Sequence, residues 1–242
     1  MTATHTRPEL SVVIPAYNEE DRLPDTLEKI CAYLQGRGLP YEILVADDGS
    51  RDGTAEVAAT FAERGVTVLP APQNQGKGAA VRRGVLASRG QRVLISDADL
   101  STPIEDLETL EPHLAETPVV FGSRAVKSAQ VRLKQPFYRE MMGKTFNKIL
   151  WLAGIWGIHD TQCGFKLLDG DVARDLFQHL VTPGFAFDVE VVWLARRAGH
   201  DVAEVGVVWV NSPSSRVSPL WDPPRMLLEI VRFRWHHWRT RP

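Results

Sequence analysis

The chain has 242 residues, of which 44% are hydrophobic and 24% charged, and its formal net charge is −2. These values exclude a wholly disordered chain, and the length suits one large α/β domain. Two cysteines, Cys31 and Cys163, are too few for a disulfide framework or a four-cysteine zinc site, so we expect two free thiols.

The sequence predicts no membrane span. The N-terminal residues lack the apolar core of a signal peptide. The longest apolar run, Ile149–Ile158, is far shorter than the roughly 20 residues that cross a bilayer. A peripheral membrane contact stays open.

Short apolar runs alternate with helical patterns through the first half of the chain. The predicted strands are Ser11–Pro15, Tyr41–Ala46, Val66–Leu69, Arg92–Ser96 and Val119–Phe121. The predicted helices are Arg22–Arg37, Asp52–Glu63, Gly76–Ser88 and a segment from Thr102 to His113 that opens with a capping box, Thr102 to Glu105. This alternation predicts a mostly parallel sheet with helices on both faces.

The second half is less regular. It is predicted to contain a loop at Lys127–Tyr138, a helix from Tyr138 to Leu152, a turn at His159–Gly164, a strand at Phe165–Leu168, helices at Val172–His179 and Phe187–Ala198, one long strand or a strand pair at Val202–Val210, a flexible loop at Asn211–Ser218 and a last helix from Pro223 to Trp238. Loops as long as the first one are usually functional or mobile.

Acidic residues follow several of the predicted strands, where a parallel sheet binds its ligands. Asp97 and Asp99 lie at one strand end, and two such carboxylates can converge on one Mg²⁺ or Mn²⁺ that bridges them to substrate phosphates. The alternative is an acidic turn before the Thr102 helix. We favour the metal and diphosphate site, because the capping box does not account for two preceding acids.

Two further strand ends carry candidate nucleotide contacts. Asp47 and Asp48 could form an Asx turn, or could accept hydrogen bonds from a base or a ribose. The segment Gly76-Lys77-Gly78 fails the P-loop pattern and fits a dinucleotide fingerprint only in part. It is either a flexible helix start or a close approach to a phosphate, with Lys77 as the charge partner.

Basic residues are concentrated in two segments. From Arg124 to Lys148 there are seven Lys/Arg against one acid, and from Arg225 to Pro242 five Arg against one acid. They indicate anionic partners, or two solvated helix faces.

The last predicted helix is amphipathic as well as basic. Its apolar positions are Leu227, Val231, Trp235 and Trp238, and arginines occupy other faces. A basic helix with tryptophans is typical of binding at a membrane surface, although it could instead pack on the sheet. One helix can also do both in part.

Five motifs occur in an order that resembles the inverting glycosyltransferase family 2, which has the GT-A fold. They are SVVIPAYNEE, VADDGSRDGT, NQGKGAAVRRG, DADLSTP and GSR. The later motif DTQCGFK resembles polyprenyl-phosphate sugar synthases, most of all the dolichyl-phosphate β-glucosyltransferases and their bacterial relatives. The resemblance runs from Ser11 to about Arg216. It implies a tail at residues 1–10, a GT-A catalytic domain at 11–218 and a basic amphipathic helix at 219–242.

The resemblance also implies roles for individual residues. Those of the nucleotide site would be Pro15, Ala16, Tyr17, Glu19, Asp47, Asp48, Lys77 and Ala98. Asp97 and Asp99 would hold the metal, with Ser101 at the place where mannosyl synthases often have Gln. Arg124 and Arg139 would meet the acceptor phosphate, Arg216 would close over the donor diphosphate, and Gln162 and Asp188 would face the sugar or the acceptor.

The predicted reaction moves a hexose, glucose from UDP-glucose, onto a polyprenyl phosphate with inversion. A phosphate monoester has a second pKa of about 6, so it attacks as an anion without a strong base. The metal, Lys77 and Arg216 would stabilise the leaving diphosphate.

Three alternatives remain open. One is a GDP-mannose-dependent synthase. Another is a hydroxyl acceptor in a polysaccharide or glycolipid, with Asp160 or Asp188 as base. The third is a module that binds a nucleotide sugar without turnover.

The expected partners are the donor, the lipid acceptor and a membrane surface, and no nucleic acid. The expected place is the cytoplasm, peripheral at the inner face of the cell membrane. A membrane-protein partner or a homo-oligomer stays open.

Overall fold

A seven-stranded sheet forms the centre of the molecule in a computed structural model that describes residues 7–131, 156–210 and 222–240. Its strands are β1 (Leu10–Ala16), β2 (Tyr41–Asp47), β3 (Val66–Pro70), β4 (Arg92–Ile95), β5 (Val119–Ser123), β7 (Lys166–Asp169) and β8 (Val202–Gly206). The order across the sheet is β3-β2-β1-β4-β7-β5-β8. All neighbours pair in parallel except β7, which is antiparallel to both β4 and β5. The prediction of a mostly parallel sheet is confirmed.

Helices cover both faces of this sheet. They are α1 (Leu23–Arg37), α2 (Thr54–Ala59), α3 (Lys77–Ala87), α4 (Leu107–Leu110), α5 (Gly170–His179), α6 (Phe187–Arg197) and α7 (Asp222–Arg239). Short 3₁₀ turns occupy Ala62–Arg64, Ile104–Asp106 and Glu111–Ala115. Each described helix is too short or too polar to span a bilayer.

The two faces of the sheet bury separate apolar clusters. Val13 of β1 belongs to the cluster under α3, α5, α6 and α7, whereas Val12 and Ile14 belong to the cluster under α1, α2 and α4. Successive side chains of a strand point to opposite faces, so the continuous apolar run of β1 fills both clusters. Cys31 and Cys163 are buried free thiols, as predicted.

The predicted capping box is wrong. Pro103 has an extended backbone (ψ 146°) and flanks the first turn, so the 3₁₀ turn begins only at Ile104 and has no side-chain cap. Thr102 is therefore one position too early to cap it. The predicted single helix is instead a 3₁₀ turn, the four-residue α4 and a second 3₁₀ turn.

The irregular second half contains a small extra sheet. Part of the predicted loop Lys127–Tyr138 forms β6 (Gln130–Val131), which pairs in parallel with β9 (Val208–Trp209). The segment Val202–Val210 is therefore a strand pair, divided between the two sheets. The predicted helix at Tyr138–Leu152 and the predicted loop at Asn211–Ser218 lie outside the described residues.

The close packing of α3 on β1 gives a test of the fold. A Cβ at Gly84 would overlap Val13 Cγ1, and overpacking of this kind costs about 1–3 kcal/mol. We expect Gly84→Ala to lower the free energy of unfolding by that amount in urea denaturation.

Gly36→Ala is the matched control. Gly36 lies in α1, and a Cβ added there would meet no other atom of the described residues within 4 Å. The helix preference of alanine should therefore raise the stability by about 0.5–1 kcal/mol. A Gly84→Ala protein as stable as the parent would contradict the packing described for α3.

Candidate active site

Charged residues from parallel strands and from the antiparallel strand β7 lie at the carboxyl edge of the sheet. Asp47 ends β2, and Asp97 follows β4 after one intervening residue. Because β7 is antiparallel, its first residue, Lys166, pairs with Ile95 of β4 at this same edge. Lys166 was missing from the predicted site. Its only signal in the sequence was that it is a single lysine inside the otherwise apolar strand predicted at Phe165–Leu168.

The carboxylates of Asp47 and Asp48 accept hydrogen bonds from the backbone of the neighbouring loops. Asp48 is 3% exposed, and its carboxylate accepts hydrogen bonds from the backbone N–H groups of Gln75 (3.1 Å) and Gly76 (2.7 Å). Asp47 Oδ1 accepts from the N–H of Ser50 at 3.2 Å. Asp48 therefore fixes the loop that leads into Lys77.

The loop after β1 is joined to the loop after β2. Asn18 has a left-handed backbone (φ 52°), and its N–H donates to Ser50 Oγ at 2.9 Å. The N–H of Glu19 donates to Thr54 Oγ1 at 2.7 Å, and its carboxylate accepts from Arg22. Pro15 and Tyr17 are half-buried beside them, and Ala16 is buried. The loop that carries these predicted nucleotide residues is thus attached to the loop after β2.

An ion pair joins α3 to the turn after β4. Lys77 Nζ lies 2.6 Å from Asp97 Oδ1. Burial opposes the charge on both groups, but their pairing lowers the pKa of Asp97 and raises the pKa of Lys77. Lys77 and Asp97, predicted at two different strand ends, therefore meet in one site.

The turn Asp97–Ser101 is held by a hydrogen bond within it and by another from α1. Ala98 is buried, and its carbonyl accepts from Thr26 Oγ1 at 2.7 Å. Leu100 has a left-handed backbone (φ 45°), and Asp99 Oδ1 accepts from the N–H of Ser101 at 3.0 Å. The turn presents two half-exposed carboxylates, at Asp97 and Asp99.

Asp97 and Asp99 are the candidates for holding a divalent cation. Over the described ranges, no cluster of three or more His, Cys, Asp or Glu side chains is arranged to hold a metal. Carboxylate oxygens are hard ligands that suit Mg²⁺ or Mn²⁺, which often take their other ligands from water and substrate phosphates. The donor set fits such an ion.

A buried ion pair lies beside this turn. Lys166 is 1% exposed, and its Nζ is 2.9 Å from Asp188 Oδ1 at the start of α6. The ammonium also donates to the Cys163 carbonyl and stands 5.0 Å from the centre of the Phe121 ring. Burial raises the pKa of Asp188, against the lowering effect of Lys166. Gln162 Nε2 reaches Asp188 Oδ2 at 3.5 Å, so these two predicted residues are neighbours.

Arg124 is held rigidly by Asp160. Its Nε and Nη2 donate to the two carboxylate oxygens at 2.7 and 2.8 Å, and its own N–H donates to Oδ2 at 2.9 Å. The guanidinium also lies 5.4 Å from the centre of the Trp209 ring. Burial opposes the charge on Asp160, but Arg124 lowers its pKa, which makes Asp160 a poor general base. Arg139 and Arg216 lie outside the described residues.

Loss of the Arg124–Asp160 ion pair should lower the free energy of unfolding by an amount that depends on pH. We expect Asp160→Asn to cost about 2–3 kcal/mol at pH 7, because it removes a charged, doubly bonded partner. The native pKa of Asp160 is lowered, so its contribution is complete above a pH of about 4 and is lost as the pH falls through the native value. The difference between parent and variant should therefore shrink toward pH 3 in urea unfolding. Asp175→Asn, at an exposed position of α5, is the control, and an equal effect of the two substitutions would refute the prediction.

Comparisons with known proteins identify the family of this chain. The model of glycosyl transferase family 2 matches residues 11–177. The dolichyl-phosphate beta-glucosyltransferase of Drosophila melanogaster is 37% identical over 251 residues, which cover 96% of this chain and 77% of the relative. The Mus musculus protein of the same name is 36% identical, with coverages of 93% and 75%.

Solved structures share the fold at lower identity. Mannosyl-3-phosphoglycerate synthase from Rubrobacter xylanophilus gives a TM-score of 0.71 at 24% identity, covering 96% of this chain and 74% of that one. Glucosyl-3-phosphoglycerate synthase from Mycobacterium tuberculosis, solved with Mn²⁺, UDP and glucosyl-3-phosphoglycerate, gives 0.69 at 22% identity, with coverages of 94% and 78%.

The resemblance found in the sequence motifs is thereby confirmed, both for the family and for the narrower likeness to dolichyl-phosphate β-glucosyltransferases. The fold is the GT-A fold. Because the family model matches residues 11–177, more than half of the chain, and the relatives exceed 30% identity, the chain belongs to glycosyl transferase family 2.

Proposed function

We propose that this protein is a metal-dependent inverting glucosyltransferase that moves glucose from UDP-glucose onto a polyprenyl phosphate. The observation that carries the proposal is the meeting of Lys77, Asp97 and Asp99 at the carboxyl edge of the sheet. The dolichyl-phosphate beta-glucosyltransferase relatives support the glucose donor and the lipid-phosphate acceptor.

The turn Asp97–Ser101 is the proposed place of the divalent cation. Asp97 and Asp99 would hold it. The Mn²⁺ present with UDP in the Mycobacterium tuberculosis structure supports the presence of a divalent cation. When bound, the cation offsets the negative charge that develops on the leaving diphosphate. The backbone of Ser101 already orients Asp99.

On the donor side, the first residue of α3 has the right chemistry for a diphosphate. Lys77 begins an eleven-residue helix, whose N-terminus favours anions. Asp48 holds the preceding loop through Gln75 and Gly76. These features support the proposal that Lys77 binds a donor phosphate, with Arg216 acting beside it.

On the acceptor side, the site offers a fixed cation. The Arg124 guanidinium is held by Asp160 and Trp209, so little of its side-chain freedom remains to be lost on binding. Arginine suits phosphate well, and it reduces the repulsion between the acceptor and the donor diphosphate. Arg139 is proposed to assist it.

A hydroxyl acceptor is the second candidate, and one observation favours it. Asp188 is a buried carboxylate with a raised pKa beside Gln162, which are the properties of a general base. Its pairing with Lys166 argues for a positioning role instead.

We further propose that the reaction takes place at the inner, cytoplasmic face of the cell membrane, with peripheral attachment. A polyprenyl chain stays in the bilayer and presents its phosphate at the surface, so the protein must work at that surface.

The test is a transfer assay with the purified chain. Mg²⁺ or Mn²⁺, a short polyprenyl phosphate and one donor are combined in separate reactions with UDP-glucose, UDP-galactose, UDP-GlcNAc or GDP-mannose. We expect mass spectrometry to detect a hexosyl-phosphate lipid from UDP-glucose. Chelation of the metal should abolish it, and Asp99→Asn should reduce it at least about 100-fold.

Asp175→Asn, on an exposed part of α5, serves as the control and should keep full activity. If product formed from GDP-mannose alone, the donor sugar would be mannose and not glucose. Donor hydrolysis or transfer to a sugar hydroxyl, without lipid product, would refute the phosphate acceptor and turn attention to Asp188.

Gly164 gives a test of the geometry around Asp97. A Cβ at this position would overlap the Asp97 carboxylate, so Gly164→Ala must displace that side chain from Lys77. We expect kcat/KM to fall at least about tenfold while the free energy of unfolding changes by less than about 1 kcal/mol. Calorimetry should show weaker donor binding in the presence of Mn²⁺. Gly36→Ala should be fully active, and a Gly164→Ala enzyme with the parent's kcat/KM would contradict the placement of Asp97.

A further inference from the structure

The C-terminal helix α7 buries one face against the rest of the protein. Met226, Ile230, Phe233 and His237 are each less than 9% exposed. Their spacing of three or four residues places them on one side of the helix. They pack into the cluster that contains α6, and His237 stacks on Trp193 with ring centres 4.9 Å apart.

A different face of α7 is apolar and open to solvent. Leu228, Val231, Trp235 and Trp238 are 50%, 65%, 55% and 60% exposed, and we call them the outer face. They recur every three or four residues and form a stripe along the helix. The rings of Trp235 and Trp238 lie 5.5 Å apart. The sequence prediction of apolar positions at Val231, Trp235 and Trp238 thus describes the exposed side of the helix, not the packed one.

A row of arginines borders the outer face. Arg225, Arg232 and Arg239 are exposed and seven residues apart, so they lie nearly in line two helical turns from one another. The Arg239 guanidinium stands 4.7 Å from the centre of the Trp235 ring. Glu229 is the only acid between Arg225 and Arg239, and its carboxylate accepts from the N–H of Ala186 at 3.1 Å. The solvent side of α7 is therefore apolar and cationic.

We infer that the outer face of α7 binds the surface of an anionic lipid bilayer. Tryptophan prefers the boundary between headgroups and acyl chains, and a basic amphipathic helix lies in that plane. Arg225, Arg232 and Arg239 would meet lipid phosphates, which guanidinium groups bind well. Two adjacent exposed tryptophans beside a row of arginines match this partner in both polarity and charge.

The inner face of α7 connects this surface to the active site. His237 Nε2 is 2.7 Å from Glu190 Oε1, and the Glu190 carboxylate also accepts from the N–H groups of Val181 (3.1 Å) and Thr182 (2.8 Å). The next residue, Pro183, accepts at its carbonyl from the N–H of Ala79 in α3 at 3.0 Å. A bilayer bound to α7 would therefore have a fixed orientation relative to Lys77. This inference extends the proposed function, since a membrane-lipid acceptor gives the surface its use.

Vesicle binding tests the inference without any transfer reaction. The full chain is sedimented with vesicles of phosphatidylcholine that contain about a quarter phosphatidylglycerol, and with vesicles of phosphatidylcholine alone. We expect binding to the anionic vesicles that weakens as salt rises, because charge contributes to it. Replacement of both tryptophans, Trp235→Ala with Trp238→Ala, should weaken binding at least about tenfold, and Arg232→Gln should weaken it several-fold.

Leu86→Ala and Lys29→Gln are the matched controls, at exposed apolar and cationic positions of α3 and α1. Both should bind vesicles like the parent. The inference is overturned if the parent protein does not bind, or if the double tryptophan variant binds equally well. A third outcome also overturns it: the parent protein does not bind vesicles and is a dimer in sedimentation velocity, and the double tryptophan substitution makes it a monomer. The outer face would then join two copies of the chain. Failure of glucose transfer would leave the vesicle result unchanged, so the two proposals can fail separately.

Discussion

The reversed direction of β7 determines what lies at the carboxyl edge of the sheet. A parallel strand between β4 and β5 would begin at the opposite edge. Because β7 is antiparallel, Lys166 stands beside Ile95, and the turn before it, with Gly164, lies against Asp97. The segment that carries Asp160 and Gln162 is thereby brought to the same end of the sheet as Lys77 and Asp97.

Charge pairing is the second feature that organises this edge. Asp97 is matched by Lys77, Asp160 by Arg124 and Asp188 by Lys166. An isolated charge that is buried in protein would be costly, and each pair gives its carboxylate a cation from another part of the chain. The pairs also differ in what they can do. Lys166 is enclosed by protein, whereas Lys77 and Arg124 keep part of their surface open to a ligand.

Much of the sheet could be predicted from the sequence, because buried parallel strands leave continuous apolar runs such as β1 and β2. The strand ends followed from the same runs, and so did the grouping of Asp97 with Lys77. Strand direction left no such trace, so the position of Lys166 could not be derived. The supposed cap at Thr102 failed because Pro103 is extended and flanks the 3₁₀ turn, so the turn begins one residue later than the motif predicts. The face of α7 that packs was likewise hidden, because both of its faces are apolar.

Glu229 and His237 attach α7 to the protein at two points about two helical turns apart. A helix fixed at two points cannot swing about a hinge, so it moves as one body with the catalytic domain. If α7 lies in the plane of a bilayer, the domain keeps only two kinds of motion, sliding along the surface and turning about its normal. A search for a dilute lipid then takes place in two dimensions, and each encounter presents the same edge of the sheet to the headgroup.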